Sequence, residues 1–330
     1  MQSQPTIHTC LGYLLALLLL VTACTMPSAP STAPAASDPE ALLTVVATYS
    51  ILGDLVANVG GEHVNLITLV GPDGDAHTFE PTPADSVALT QASLIFENGL
   101  EFETWLDDLY TAANTTAERI VVTEGLQPLA MDEGTAPEDH ADEADEHGHH
   151  HGEFDPHVWH DVTYTMAMVE HIRDALSAAD PENAADYAAN ADAYLAQLAE
   201  LDGWVTTQIE SIPLERRKLV TSHDTFGYFA QRYGLEIVGS ALGSFSTEAA
   251  DPSAGELAAL IETIQAEGVP ALFAENVSNP DLIERIAQET GITIGEPLYT
   301  DALGEDGTDG ATYLDMVRHN VNAFVAALSE

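Results

Sequence analysis

Apolar and polar positions along the chain alternate in two ways. Short runs rich in Val, Ile and Leu, bounded by turn residues, predict buried strands, and the longer stretches between them carry apolar residues at helical spacing. Strands are predicted at 43–48 (LTVVAT), 64–70 (VNLITLV), 93–97 (SLIFE) and 119–123 (RIVVT), with helices at 51–59, 83–91 and 102–112 between them. Strands that alternate with helices build a parallel sheet. A second series repeats the pattern at 218–222 (KLVTS), 235–240 (LEIVGS), 270–275 (PALFAE) and 291–295 (GITIG). The expected fold is therefore α/β, with two parallel-sheet lobes.

Between the two series runs PENAADYAANADAYLAQLAELDGWVTTQIESI, residues 181–212, rich in Ala and Leu, with Pro181 at its start and Pro213 just past its end. Those are helix start and stop signals. At 1.5 Å per residue the helix would be roughly 45 Å long, enough to connect both lobes. The expected domains are an N-terminal lobe over 42–180, the linking helix over 181–212 and a C-terminal lobe over 213–330.

The chain begins differently. From Leu11 the run LGYLLALLLLVTAC is apolar for about ten residues, short of the ~20 that span a bilayer but suited to a secretory signal. Val21-Thr22-Ala23-Cys24 places small residues before a cysteine, as in a bacterial lipobox. This predicts a lipoprotein signal over 1–23, cleavage before Cys24 and lipidation of its thiol. One departure is the lack of any Lys or Arg before Arg119, where a signal normally carries a basic start. Residues 24–41, rich in Ser, Pro and Ala, have the composition of a flexible tether. With Cys10 in the removable segment and Cys24 acylated, the mature domain has no cysteine for a disulfide.

Charge narrows the choice of ligand. Eight basic against 54 acidic side chains give a net charge of −46, which repels nucleic acid and anionic lipid and concentrates cations. Whole-chain acidity also arises from the solubility demands of a saline habitat, so charge alone selects no function. Residues 131–153, MDEGTAPEDHADEADEHGHHHGE, contain carboxylates and five histidines, His140, His147, His149, His150 and His151, but no basic residue. Such a tract cannot bury a core and is expected to be a mobile loop. Its histidines are candidate auxiliary ligands that collect metal.

Four segments carry metal-type side chains where α/β proteins place their sites, on loops leaving the carboxyl ends of strands. They are GPDGDAHTFEPTP with His77, FDPHVWHD with His157, TSHDTFGYF with His223 and PLYTDALG with Asp301. Each alone is weak, because a lone His at a strand end is more often a cap or core residue. Two fall in each lobe at matching topological positions, which predicts convergence on the cleft between them. Three neutral imidazoles and a carboxylate suit four-coordinate Zn²⁺. Asp75 and Asp155, each two residues before a candidate ligand, could orient the imidazoles or simply cap turns.

These segments, in this order and spacing, together with ENGLEFETWLDDL from Glu97 and STEAADPSAGEL from Ser246, resemble the zinc and manganese substrate-binding lipoproteins of ABC importers, the ZnuA-like cluster A-I family. The resemblance extends from about Leu42 to the end of the chain. It implies metal ligands at His77, His157, His223 and Asp301, and two α/β lobes joined by a single long rigid helix with the metal in the interlobe cleft. A His-rich acidic loop before His157 is common in its zinc-type members. The second motif departs from the family at His160 and Val162, where Leu and Pro are usual; we expect His160 at the surface rather than as a further ligand. Manganese-selective relatives tend to carry Glu where this chain has His223, so the shell leans toward zinc, with manganese or iron as the alternative cargo.

The expected function is an extracytoplasmic receptor that captures Zn²⁺ and delivers it to an ABC permease and its ATPase. It would be anchored to the outer face of the membrane through lipid alone, as a monomer that binds no nucleic acid. A zinc hydrolase would need an open coordination position and a general base, and the sequence has no H-E-x-x-H helix. An adhesin or metal buffer without a permease would share the same fold and site.

Overall fold

The computed structural model describes residues 42–130 and 154–329. The signal, Cys24, the tether and the loop histidines lie outside the described residues.

In the first lobe four strands, β1 (Leu43–Tyr49), β2 (Val64–Val70), β3 (Leu94–Glu97) and β4 (Glu118–Val121), pair in parallel in the order β2-β1-β3-β4. Helices α1 (Ser50–Gly60), α2 (Pro83–Gln91) and α3 (Leu106–Ala113) connect them. β1 is central, and its period of two sends Val45, Ala47 and Tyr49 into one core while Val46 enters a second core with Leu89, Ile95 and Leu106. That is why apolar residues fall on both faces at 45–47: both faces of the strand are covered.

Arg119 on β4 grips Glu97 at the end of β3 with two hydrogen bonds, Nε to Oε1 at 2.9 Å and Nη2 to Oε2 at 2.6 Å, and reaches Asp107 with Nη1 at 2.6 Å. Glu97 is buried, whereas the Arg119 side chain is 30% exposed. Arg119→Leu should therefore cost about 3 kcal/mol in a urea unfolding titration, the lower end for breaking a buried pair, because water still reaches the guanidinium.

After residue 154 the chain forms α4 (Val162–Ala179), whose first turn is capped by Asp161 Oδ1 accepting from the Thr163 amide at 2.8 Å. The connecting helix α5 (Ala184–Glu210) has 27 residues, about 40 Å at 1.5 Å per residue. It is slightly shorter than the predicted 181–212, because Pro181 and the Asn183 cap precede its first turn. Its buried stripe, Tyr187, Ala191, Tyr194, Leu198, Leu201, Val205 and Ile209, recurs every three or four residues. It packs against α1 and α4 on the side of the first lobe and against α9 (Tyr313–Leu328) of the second.

The second lobe differs in one respect from the four strands expected. Only β5 (Lys218–Thr221) and β6 (Glu236–Ser240) form a ladder. The other two segments are joined to each other by isolated parallel bridges, Leu272 to Ile294 and Glu275 to Leu298, and the first of them meets β5 where the Phe273 amide donates to the Val220 carbonyl at 3.0 Å. Pro297, between the two bridged positions Ile294 and Leu298, lacks an amide proton and so interrupts a continuous ladder. Helices α6 (Gly227–Tyr233), α7 (Ala254–Glu267) and α8 (Asp281–Thr290) complete this lobe. Among the described residues, no helix is long and apolar enough to cross a membrane.

Candidate metal centre

Each predicted ligand sits on a turn just beyond a strand or bridge, and neighbouring groups hold it there. His77 follows β2; its amide donates to Asp75 Oδ1 at 2.9 Å, and Trp105 Nε1 anchors the preceding Ala76 carbonyl at 2.8 Å. The His157 amide and ring Nδ1 both contact Asp155 Oδ1, at 2.9 and 2.7 Å. His223 follows β5. Glu275 Oε1 accepts from the amides of Ser222 and His223 at 2.7 and 3.0 Å, while its Oε2 takes the His223 ring Nδ1. Asp301 follows the last bridged segment, and Thr225 Oγ1 donates to its Oδ1 at 3.3 Å.

The structure brings His77, His157, His223 and Asp301 together, with one ligand atom from each lying within 4.8 Å of all the others. His77 Nε2 is 3.4 Å from His157 Nε2 and 3.3 Å from Asp301 Oδ2, which is 3.1 Å from His223 Nε2. His157 Nε2 lies 3.7 Å from Asp301 Oδ1. Bonds of about 2.05 Å arranged tetrahedrally require ligand atoms about 3.3 Å apart, so the cluster has the dimensions of a four-coordinate ion. His223 Nε2 and Asp301 Oδ2 are buried without a hydrogen-bond partner among the described residues. Such orphans are costly unless something else satisfies them. His77 is 8% exposed and the other three are fully buried.

Charge also fits a cation. Burial favours neutral rings, and at His77 it prevails and lowers the pKa. At His157 burial is outweighed by Asp301 and Asp155, which raise the pKa from 6.5 to about 9. His223 is raised likewise, burial being overcome by Glu275 and Asp301. Asp301 is held well below the usual carboxylate range because the two imidazoles outweigh its burial.

One open alternative is decided and one expectation is corrected. Asp75 does not orient the His77 ring: its carboxylate takes the backbone amide of His77 and the hydroxyls of Thr78 and Thr247, the latter two at 2.9 and 2.6 Å. His160 is not at the surface. It is 3% exposed, packs on Phe226 with ring centroids 4.4 Å apart, and has Nε2 3.2 Å from Thr225 Oγ1. The Thr225 proton goes to Asp301, so His160 donates through Nε2 and supports the carboxylate through the hydroxyl. Burial first, then the neighbouring His157 charge, hold its pKa down to about 3.

Glu275, Thr225 and Trp159 contact the candidate ligands His223, Asp301 and His157, and the sequence pattern did not single them out. Glu275 ends a segment read only as a strand, and a carboxylate at a buried strand terminus was the available signal. Trp159 Nε1 donates to the Thr300 carbonyl at 2.9 Å, next to Asp301. Gly227 leaves room for Asp155, since a Cβ there would come within 2.7 Å of its Oδ2. Glu275→Gln keeps the volume but loses the charge on His223, and should weaken metal affinity about 10- to 100-fold in a competition titration.

Known proteins share this architecture. The manganese-binding lipoprotein MntA of Halalkalibacterium halodurans is 34% identical over 290 residues, spanning 87% of this chain and 89% of that protein. The zinc-binding protein TroA of Treponema pallidum is 34% identical over 293 residues, spanning 86% of this chain and 88% of that protein. The solved structure of the T. pallidum periplasmic zinc binding protein TroA superposes with a TM-score of 0.77 at 31% identity, over 88% of this chain and all of that one. The Mn-bound periplasmic metal binding protein from candidatus liberibacter asiaticus gives a TM-score of 0.72 at 28% identity, over 86% of this chain and 99% of that one. The profile of the ZnuA family, the periplasmic zinc-uptake complex component A, matches residues 45–327. With these four side chains gathered at the strand ends and the family pattern running through almost the whole described chain, the protein belongs to the ZnuA family.

Proposed function

We propose that the protein captures one divalent transition metal ion, Zn²⁺ by preference, on His77, His157, His223 and Asp301, and delivers it to the permease and ATPase of an ABC importer. The observation that carries this reading is the convergence of four buried ligand atoms from two lobes within 4.8 Å. Four protein ligands fill a zinc shell and leave no position for an activated water, which favours holding over catalysis. The same shell accepts Mn²⁺, for which some relatives are named, but three imidazoles and one carboxylate favour Zn²⁺. Lobes over 42–180 and 213–330 around a linker at 181–212, an acylated Cys24 holding a monomer at the outer face of the membrane, and metal collection by the loop histidines belong to the same proposal.

Competitive titration with Zn²⁺ and Mn²⁺, paired with metal accumulation in cells that carry the cognate permease, tests it. One tightly held Zn²⁺ per chain and zinc-dependent accumulation support the reading; no tight metal would sink it.

Acid should weaken binding. Because the pKa of His157 is raised to about 9, the metal-free site holds a proton at neutral pH that the ion must displace. Affinity should therefore fall about tenfold per pH unit for each proton released between pH 8 and 6, and level off above about pH 9. The same raised pKa stabilises the metal-free fold fully below about 6.5, and that contribution is lost as the pH rises through about 9. An affinity independent of pH would contradict the three-histidine site.

A further inference from the structure

A cavity of about 470 Å³ lies beside the metal ligands but is lined by none of them. Its wall includes Asp75, whose carboxylate holds the His77 amide, and Ser222, which precedes His223. Asp251 and Asp281 add two exposed carboxylates, and the one cation of the lining, Arg285, is paired with Glu289 at 3.2 Å. Ser222 is 3% exposed, and its hydroxyl is without a hydrogen-bond partner among the described residues. A buried hydroxyl left without a protein partner needs a polar occupant. The cavity is thus acidic, polar and next to the centre. A cation with six waters occupies about 180 Å³, at about 30 Å³ per water, so it fits with room to turn.

One contact ties two walls of the cavity together. Thr247 Oγ1 donates to Asp75 Oδ2 at 2.6 Å, tying the loop that carries His77 to the segment after β6. His77 is the one ligand of the four that retains any exposure. We propose that this cavity is an antechamber in which a hydrated divalent cation is held before it loses its water to the four buried ligands, with the Thr247–Asp75 bond as its gate. The proposal rests on the metal-receptor reading above. Ser222 Oγ and the carboxylates hydrogen-bond to the water shell without replacing it, so the chamber sets rates and the buried ligands set affinity.

Stopped-flow measurement of Zn²⁺ association and dissociation on the full chain, with equilibrium affinity measured alongside, tests this. Ser222→Ala and Asp251→Asn should each slow association and dissociation together by about five- to tenfold, a modest part of the range over which local fields change on-rates. Thr247→Val, which removes the gate bond, should speed both. All three should leave the equilibrium affinity within about threefold of the parent, since none of the three side chains hydrogen-bonds to a ligand side chain. If the parent binds Zn²⁺ tightly and the three variants keep its association rate within about twofold, the antechamber is overturned and the cavity is a water pocket. If the parent holds no Zn²⁺, the receptor reading itself fails, and the two failures are told apart.

Discussion

His223→Ala is expected to weaken Zn²⁺ binding by about a hundred- to a thousandfold. A four-ligand zinc site binds with about 10–16 kcal/mol near neutral pH. Removing one of four comparable ligands takes away about a quarter of this, roughly 3–4 kcal/mol, and each 1.4 kcal/mol is a factor of ten. His223 has a second reason to be costly. Its ring lies between Glu275 Oε2 on one side and Asp301 on the other, so its loss leaves two buried carboxylates facing each other without the group that bridges them. The variant should therefore also unfold at lower urea than the parent when both are metal-free. Competition with a chelating dye reads the first effect, and tight zinc surviving the substitution would move the site away from the cleft.

Trp159→Ala should have the largest effect on stability, about 3–5 kcal/mol, the range for removing a large buried aromatic. The indole is fully buried and packs against Phe102, Tyr49 and His157 with centroids 4.9, 5.2 and 5.3 Å away. Its Nε1 proton holds the Thr300 carbonyl, and its own carbonyl accepts from Tyr313 Oη at 2.7 Å. The substitution thus removes volume from the first lobe and frees the residue before Asp301 in the second. Trp159→Phe separates the two effects. It keeps most of the ring but not the bond to Thr300, and should cost about 1–2 kcal/mol, mostly the orphaned carbonyl. Equal stability of the parent and the alanine variant in a denaturant titration would contradict the packing described.

The first sheet was legible in the sequence because its strands fall in short runs rich in Val, Ile and Leu, and β2 falls at 64–70 as predicted. The convergence of the four candidate ligands was legible for a related reason. A histidine or aspartate immediately past a strand in an α/β chain is carried to the site by topology, whatever the details of packing. What failed depends on contacts between residues distant in the chain. The burial of His160 is decided by Thr225 and Phe226, more than sixty positions later, and no local pattern reports it. Asp75 and Asp155 occupy the same position relative to their histidines, yet only Asp155 reaches a ring, because Asp75 is drawn toward Thr247 in the other lobe. Glu275 was hidden in the same way, its partner lying 52 positions before it. The broken pairing of 270–275 with 291–298 was written in Pro297 but masked by the apolar runs that lead into both segments.

The division of the ligands, two carried by each lobe, has a quantitative consequence for unloading. His77 and His157 stand on the side of the first sheet and His223 and Asp301 on the side of the second, and the two sides are joined by the Asp73 amide to the Leu303 carbonyl at 2.8 Å and the Leu303 amide to Ser50 Oγ at 2.9 Å. The chelate is thus assembled from two bidentate halves, and its strength is exponential in how many of the four donors reach the ion at once. A holder with a nanomolar dissociation constant, about 12 kcal/mol, drops to about 30 µM if half of that free energy is withdrawn. On the receptor reading proposed above, a parting of the two sides by little more than a bond length would suffice, and a docking partner that pulled on the protein's shape, without competing for the metal itself, would turn a trap into a donor.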